Sequence, residues 1–235
     1  MAEWLVELQG DPADLEELAD QFASPRLSVR KEGESYYLRS SEDFDGLSDA
    51  SQVRTQARKL LPLLSGAANL YAGAGETVTP GVVIWQRDDG PPDQFIPMGV
   101  ATVRARGKGL LGGTEAAHPT VGESWLSLAR QDDNVSDGLR FFQENTTWGS
   151  LRKAYEVIER RDEFGQQSKV AKVLSTPEEE IRRFKKWAHY HVHGGRKNRP
   201  DSDHFPPLLL EEADSFLRDL LKKWLRWKLD QQKSK

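Results

Sequence analysis

The sequence predicts an α+β protein. Residues 1–113 read as a small sandwich of an antiparallel or mixed sheet with two helices, and residues 114–235 as an all-α helical bundle. Two observations carry this. The first hundred residues run strand, helix, strand, strand, helix, strand, strand, the rhythm of helices laid on one face of a sheet. Beyond the stretch Gly107-Lys108-Gly109-Leu110-Leu111-Gly112-Gly113 the apolar spacing is helical instead. Seven Trp, nine Phe and five Tyr supply core material and set the chain apart from disordered sequences, which are poor in aromatics.

The elements follow in order. Trp4 to Leu8 reads as a first strand. Asp11-Pro12 opens a helix in which Leu15, Leu18, Ala19 and Phe22 recur at steps of three and four, and Ser24-Pro25 stops it. Pro12 suits the first turn, where no amide donor is required. Leu27 and Val29, then Tyr36 to Leu38, bracket Glu32-Gly33-Glu34 as a hairpin. A long helix from about Asp49 carries Val53, Ala57, Leu60, Leu64 and Ala67 on one face, and Pro62 is expected to kink or interrupt it. Val82 to Trp85 and Phe95 to Val103 read as two strands joined by a turn at Asp88-Asp89-Gly90-Pro91-Pro92.

In the second half, Trp125, Leu128 and Ala129 begin a short helix, and Leu139, Phe141 and Phe142 mark another. Trp148, Leu151, Tyr155 and Ile158 define a clear amphipathic helix. Thr176-Pro177-Glu178-Glu179 has the form of a capping box, with Thr176 as N-cap, and opens a helix through Ile181, Phe184 and Ala188. A last helix from near Leu210 buries Ala213, Phe216, Leu217, Leu220, Leu221 and Trp224 and leaves Trp227 exposed.

Several function classes drop out. Without cysteine there is no disulfide, thiol nucleophile or thiolate metal site. No apolar run reaches the roughly 18 residues of a membrane helix, and the acidic start fits neither a signal nor a transit peptide. A cytoplasmic protein without membrane contact is the expectation. The glycine stretch lacks the order of a phosphate-binding loop, because Lys108 precedes the glycines and His118-Pro119 stands where a helix would start. No G-x-S-x-G elbow is present.

The net charge of −4 is unevenly spread. Ile181 to Pro200 holds seven basic residues, Arg182, Arg183, Lys185, Lys186, Arg196, Lys197 and Arg199, no acid, and three of the five histidines. One reading is a solvated helix face running into a loop. The other is a polyanion site, with Lys185, Lys186, Arg196, Lys197 and Arg199 as nucleic-acid contacts. On a helix Arg182, Lys186, His189 and His193 share a stripe opposite Ile181, Phe184 and Ala188. Histidine serves as acid or base near neutrality, and arginine clamps the charge of a phosphate. Catalytic candidates are therefore Arg182, Arg183, His189 and His193, with no cofactor. A metal reading competes for His189, His191 and His193, which alternate as metal-binding strands do. His189 and His193 would also pair at i, i+4 on a helix, and Asp201, Asp203 and His204 follow within reach. The plainer alternative leaves one histidine packed on Tyr190 or Trp187 and the others exposed.

Arg183-Phe184-Lys185-Lys186-Trp187-Ala188-His189 resembles the R-x4-6-H motif of HEPN domains, all-α bundles of prokaryotic toxins, defence systems and RNases. The resemblance implies a helical bundle, frequent dimerisation, and metal-independent RNA cleavage by paired Arg and His residues across the dimer. Carried over, Arg182 or Arg183 would be the Arg and His189 the His. The stretch from Trp148 to Trp227 is also similar to bacterial two-domain proteins of uncharacterised function. Those proteins have a Trp-led helix, a later Arg-His-Gly and a final Glu-Ala…Trp helix. Here these are Trp148, Val192-His193-Gly194 and Glu212-Ala213…Trp224, with Val192 replacing the Arg. The expectation is an RNA-binding or RNA-cleaving homodimer whose first domain senses a ligand or partner. The alternative is a non-catalytic regulatory protein that oligomerises through its C-terminal helices, with an exposed Trp227 in the contact.

Overall fold

Alternation puts Trp4, Val6 and Leu8 on one side of β1 (Glu3–Gln9) in the computed structural model. The structure describes residues 2–73, 75, 77–87, 90–96, 120–143, 146–160, 164, 167–194, 200–201 and 204–233. β1 is the middle strand of an antiparallel sheet ordered β2-β3-β1-β4-β5, with β2 (Leu27–Glu32), β3 (Ser35–Ser40), β4 (Thr79–Gln86) and β5 (Asp93–Phe95). Val29, Leu38, Val6 and Val83 stand opposite one another across four strands and are at most 3% exposed. This row is the floor of the core. The β2–β3 hairpin turns at Gly33, whose φ of +62° a side chain would resist.

The helices lie over that row. α1 (Pro12–Gln21) starts at Asp11, whose carboxylate accepts the Ala13 amide at 2.8 Å. Its Glu16 accepts from Lys31 Nζ at 2.7 Å and from Tyr36 Oη, tying α1 to the same side of β2 and β3 as Val29 and Leu38. After the short α2 (Ser41–Phe44), α3 (Ala50–Ala72) is capped by Asp49 and packs on α1, β1 and β4. Trp4 Nε1 donates to Leu47 O at 3.1 Å, on this same side. The helix runs unbroken through Pro62, so the expected interruption does not occur. The proline sits half-buried, with Leu60, Leu61, Leu63 and Leu64 all buried around it, and this packing holds the turn closed. The strand predicted to reach Val103 is described only through Phe95, and the glycine stretch lies outside the described residues.

The other six of the nine helices among the described residues follow, α4 (Val121–Ala129), α5 (Asp133–Gln143), α6 (Trp148–Glu159), the short α7 (Gln167–Val173), α8 (Glu178–His193) and α9 (Leu210–Lys233). The chain divides into two compact units, Met1–Ser124 and Trp125–Lys235, the division falling within α4. α6 touches α5, α8 and α9 and buries one broad face, at Ser150, Leu151, Ala154, Tyr155, Val157 and Ile158. Its start is a true capping box. Thr147 Oγ1 accepts the Ser150 amide at 3.1 Å, and Ser150 Oγ accepts the Thr147 amide at 3.0 Å.

The capping box expected at Thr176 is not formed. The N-cap of α8 is Pro177, and Thr176 Oγ1 donates to Leu174 O at 3.2 Å. α9 buries Ala213, Leu217, Leu220, Leu221, Trp224 and Leu225. Trp227 is half-buried instead of exposed, because Phe164 packs on its ring at 5.0 Å. No helix among the described residues is long and apolar enough to cross a membrane.

Candidate functional site

α8 opens with Glu178, Glu179 and Glu180, which the positive end of a helix favours, and turns basic and then histidine-rich toward its C-terminus. Ile181, Phe184, Trp187 and Ala188 are buried. Lys186, His189 and His193 are exposed and Arg182 half-exposed, on the opposite stripe. The helix continues through His193 and ends at Gly194 with φ +66°, so the three histidines do not alternate along a strand.

This stripe borders a cleft of about 440 Å³ between α6 and α8, with Arg182, Lys186 and His189 on one wall and Arg152, Tyr155 and Glu159 on the other. The rings of His189 and His193 are 4.7 Å apart, one helical turn along. Arg152, on α6, is hydrogen-bonded to His193 Nε2. A guanidinium only donates, so the imidazole is the acceptor in this contact. The same arginine donates to Glu156 Oε1 at 2.7 Å.

Acids balance much of the remaining charge. Arg182 pairs with Glu178 at 3.2 Å and Glu179 at 2.8 Å. Both are exposed contacts between helical neighbours, worth at most about 1 kcal/mol and readily exchanged for another anion. Lys185 donates to Glu159 at 2.6 Å and lies 5.5 Å over the Tyr155 ring. Burial pushes the Tyr155 phenol up, with Glu159 adding to the effect, so Tyr155 stays a neutral donor to Glu159 at 3.2 Å.

The other predicted residues are placed differently. Arg183 is turned away from His189. It donates to Pro206 O at 2.8 Å, to Pro207 O, and to Glu212 at 3.4 Å, fastening α8 to the segment that leads into α9. His191 stacks on Trp148 at 4.4 Å with the rings 9° apart, and Trp187 and Tyr190 flank it. Arg196, Lys197, Arg199 and Asp203 lie outside the described residues. His204 pairs with Asp201 at 2.8 Å. No group of three or more His, Asp or Glu placed to hold a metal ion occurs among the described residues.

Sequence reasoning did not find Arg152. It stands on α6, 41 residues before His193, and the pattern of α6 announced only its buried face. The i, i+4 pair Arg152–Glu156 was the one local sign of a charged outer side. Comparison with protein-family models, with curated proteins and with solved structures finds no match to this chain.

Proposed function

We propose that the helical unit binds RNA along the α6–α8 cleft and cleaves it without a metal ion at His189 and His193. The observation that carries this is the exposed His189–His193 pair with Arg152 on His193 and Arg182 and Lys186 along the same wall. Arg152 and Arg182 would take the non-bridging oxygens of one phosphodiester, where a planar donor fork is worth most. A neutral imidazole would accept the proton of the ribose 2′-hydroxyl as its oxygen attacks phosphorus. A protonated one would give a proton to the departing 5′-oxygen, leaving a cyclic phosphate and a free 5′-hydroxyl. Arg183 is assigned a positioning role. The resemblance to HEPN domains extends the reading to a homodimer, with the α+β unit sensing a ligand or partner.

Incubation of wild-type and His189→Ala protein with mixed RNA, with and without a chelator, tests this. Cleavage by the wild type should survive the chelator, and the variant should be slower by about 10²-fold or more, the usual worth of a general acid or base. Equal cleavage by both proteins, or by neither, refutes the reading. Loss of cleavage on adding chelator transfers the histidines to a metal.

A further inference from the structure

The buried faces of α6 and α8 run out at the same end of the helical unit and meet there in an aromatic stack. On α8, Ile181, Phe184, Trp187 and Ala188 are at most 4% exposed. The next position on this face, one turn past Trp187, holds His191, which is exposed. On α6, Leu151, Tyr155 and Ile158 are at most 3% exposed, while Trp148, in the first turn, is half-buried. The His191 ring lies on the Trp148 ring at 4.4 Å with the planes 9° apart, and Tyr190 stands edge-on to it at 5.1 Å.

Any apolar side chain at position 191 would cover Trp148. A flat ring set parallel to the indole does something further, because with His191 exposed the stack presents ring surface to solvent. The surroundings are cationic. Arg152 follows Trp148 by one turn on α6 and is hydrogen-bonded to His193, half of the proposed cleavage pair. No acid occurs from Ile181 to Gly194. Both carboxylates of α6 are paired, Glu156 with Arg152 at 2.7 Å and Glu159 with Lys185 at 2.6 Å. An aromatic face beside a donor fork matches the two parts of a nucleotide, its base and its phosphate.

We infer that Trp148 and His191 form a nucleobase-stacking site beside the α6–α8 cleft, an inference that rests on the reading of that cleft as an RNA site. The base lies on the His191 ring, Trp148 backs that ring and fixes its plane, and Arg152 takes a phosphate oxygen of the same strand. Every base has a π-face, so such a site accepts any base. It requires one free of its duplex neighbours, because in a helix both faces are already stacked. Trp148 and His191 are thus positioning residues. They hold the strand at one point while the phosphodiester is held at His189 and His193.

Two ligands titrated into the full chain separate stacking from charge. One is a hexanucleotide with 2′-O-methyl riboses, which offers no 2′-hydroxyl for cleavage, and the other a base-free sugar-phosphate chain of the same length. The wild type should bind the hexanucleotide about tenfold more tightly, the worth of one base–aromatic stack. His191→Leu, which keeps a cover on Trp148 but removes the ring, should lose that preference and bind the base-free chain as the wild type does. His191→Phe should retain the preference. The indole N–H signal of Trp148, identified among the seven by its loss in Trp148→Phe, should move with the hexanucleotide and stay in place with the base-free chain. Equal wild-type affinity for the two chains, an undiminished preference in His191→Leu, or an unmoved Trp148 signal would each overturn the stacking site and leave the cleft reading standing. Binding of neither chain would overturn both. The base preference in a protein that cleaves no RNA would uphold the stack and remove only the cleavage.

Discussion

Glu16 is an exposed carboxylate whose hydrogen bonds contribute to how the first unit responds to acid. The hydrogen bond from Lys31 Nζ, followed by that from Tyr36 Oη, holds its carboxyl below the ordinary 4.5, and the same bond raises the Lys31 ammonium above its ordinary 10.5. The folded carboxyl is the more acidic one, so its contribution is present above the ordinary value and lost as pH falls through the lowered one. Lys31 has the opposite sign: its contribution is present below its ordinary value and lost only as pH rises through the raised one. Glu16→Gln should therefore flatten the acid limb. Below about pH 4.5 the urea midpoint of the wild type should fall more steeply than that of the variant, and added salt should narrow the gap because the pair is exposed. Parallel acid limbs would dismiss the pair as a source of stability. At this same scale the sequence placed Arg182, Lys186, His189 and His193 on one stripe, because helical periodicity alone decides which side chains share a face. It could not reveal that Arg183 serves the carbonyls of Pro206 and Pro207, or that Arg152 meets His193, since both depend on how separate helices pack.

Among elements, the sequence foretold β1 to β4, α1 and α3 of the first unit but not α2, and the elements it foretold are bounded by local chemistry: Asp11-Pro12, Gly33 and Asp49 each stand at an observed boundary. The failure at Thr176 has a specific physical cause. α7 is short and carries few apolar residues, so its spacing gave no signal, yet its C-terminus claims the groups that a capping box would use. Ser175 takes a φ of +47°, and the Thr176 amide donates to Ala171 O at 3.0 Å, the bond of a Schellman ending. Thr176 thus closes one helix instead of opening the next. Pro62 is the other departure, and it carries a prediction. Its ring cannot donate to the carbonyl of the preceding turn and crowds it, costing about 3 kcal/mol relative to alanine in a helix interior. Part of this is offset by the smaller entropy of the unfolded chain, about 0.4–1 kcal/mol. Pro62→Ala should therefore raise the stability of the first unit by about 2 kcal/mol in chemical denaturation. A loss of stability would show instead that α3 depends on the geometry the proline imposes.

For the whole molecule, the division into units sharpens the charge asymmetry visible in the sequence. Residues 1–124 carry 11 basic and 19 acidic side chains, a net −8, whereas residues 125–235 carry 22 and 18, a net +4. The overall −4 is thus the remainder of two opposed fields, and the unit bearing the proposed RNA cleft is the positive one. The helical unit also has a core of its own in Val135, Leu139, Leu151, Ile158, Phe184, Leu221 and Trp224, all at most 3% exposed. A fragment of residues 120–235, which keeps α4 whole and carries 22 basic and 19 acidic side chains, should therefore fold and bind polyanions. Electrostatic attraction at low salt follows net charge, and it is screened beyond about 8 Å at physiological ionic strength. The fragment should then leave a heparin column at higher salt than the full chain. Elution of both at the same salt would mean that the α8 cluster acts only within its own screened surroundings and that the acidic unit has no part in admitting RNA. Elution of the fragment first would remove the electrostatic ground for placing RNA on this unit, whatever the geometry of its histidines.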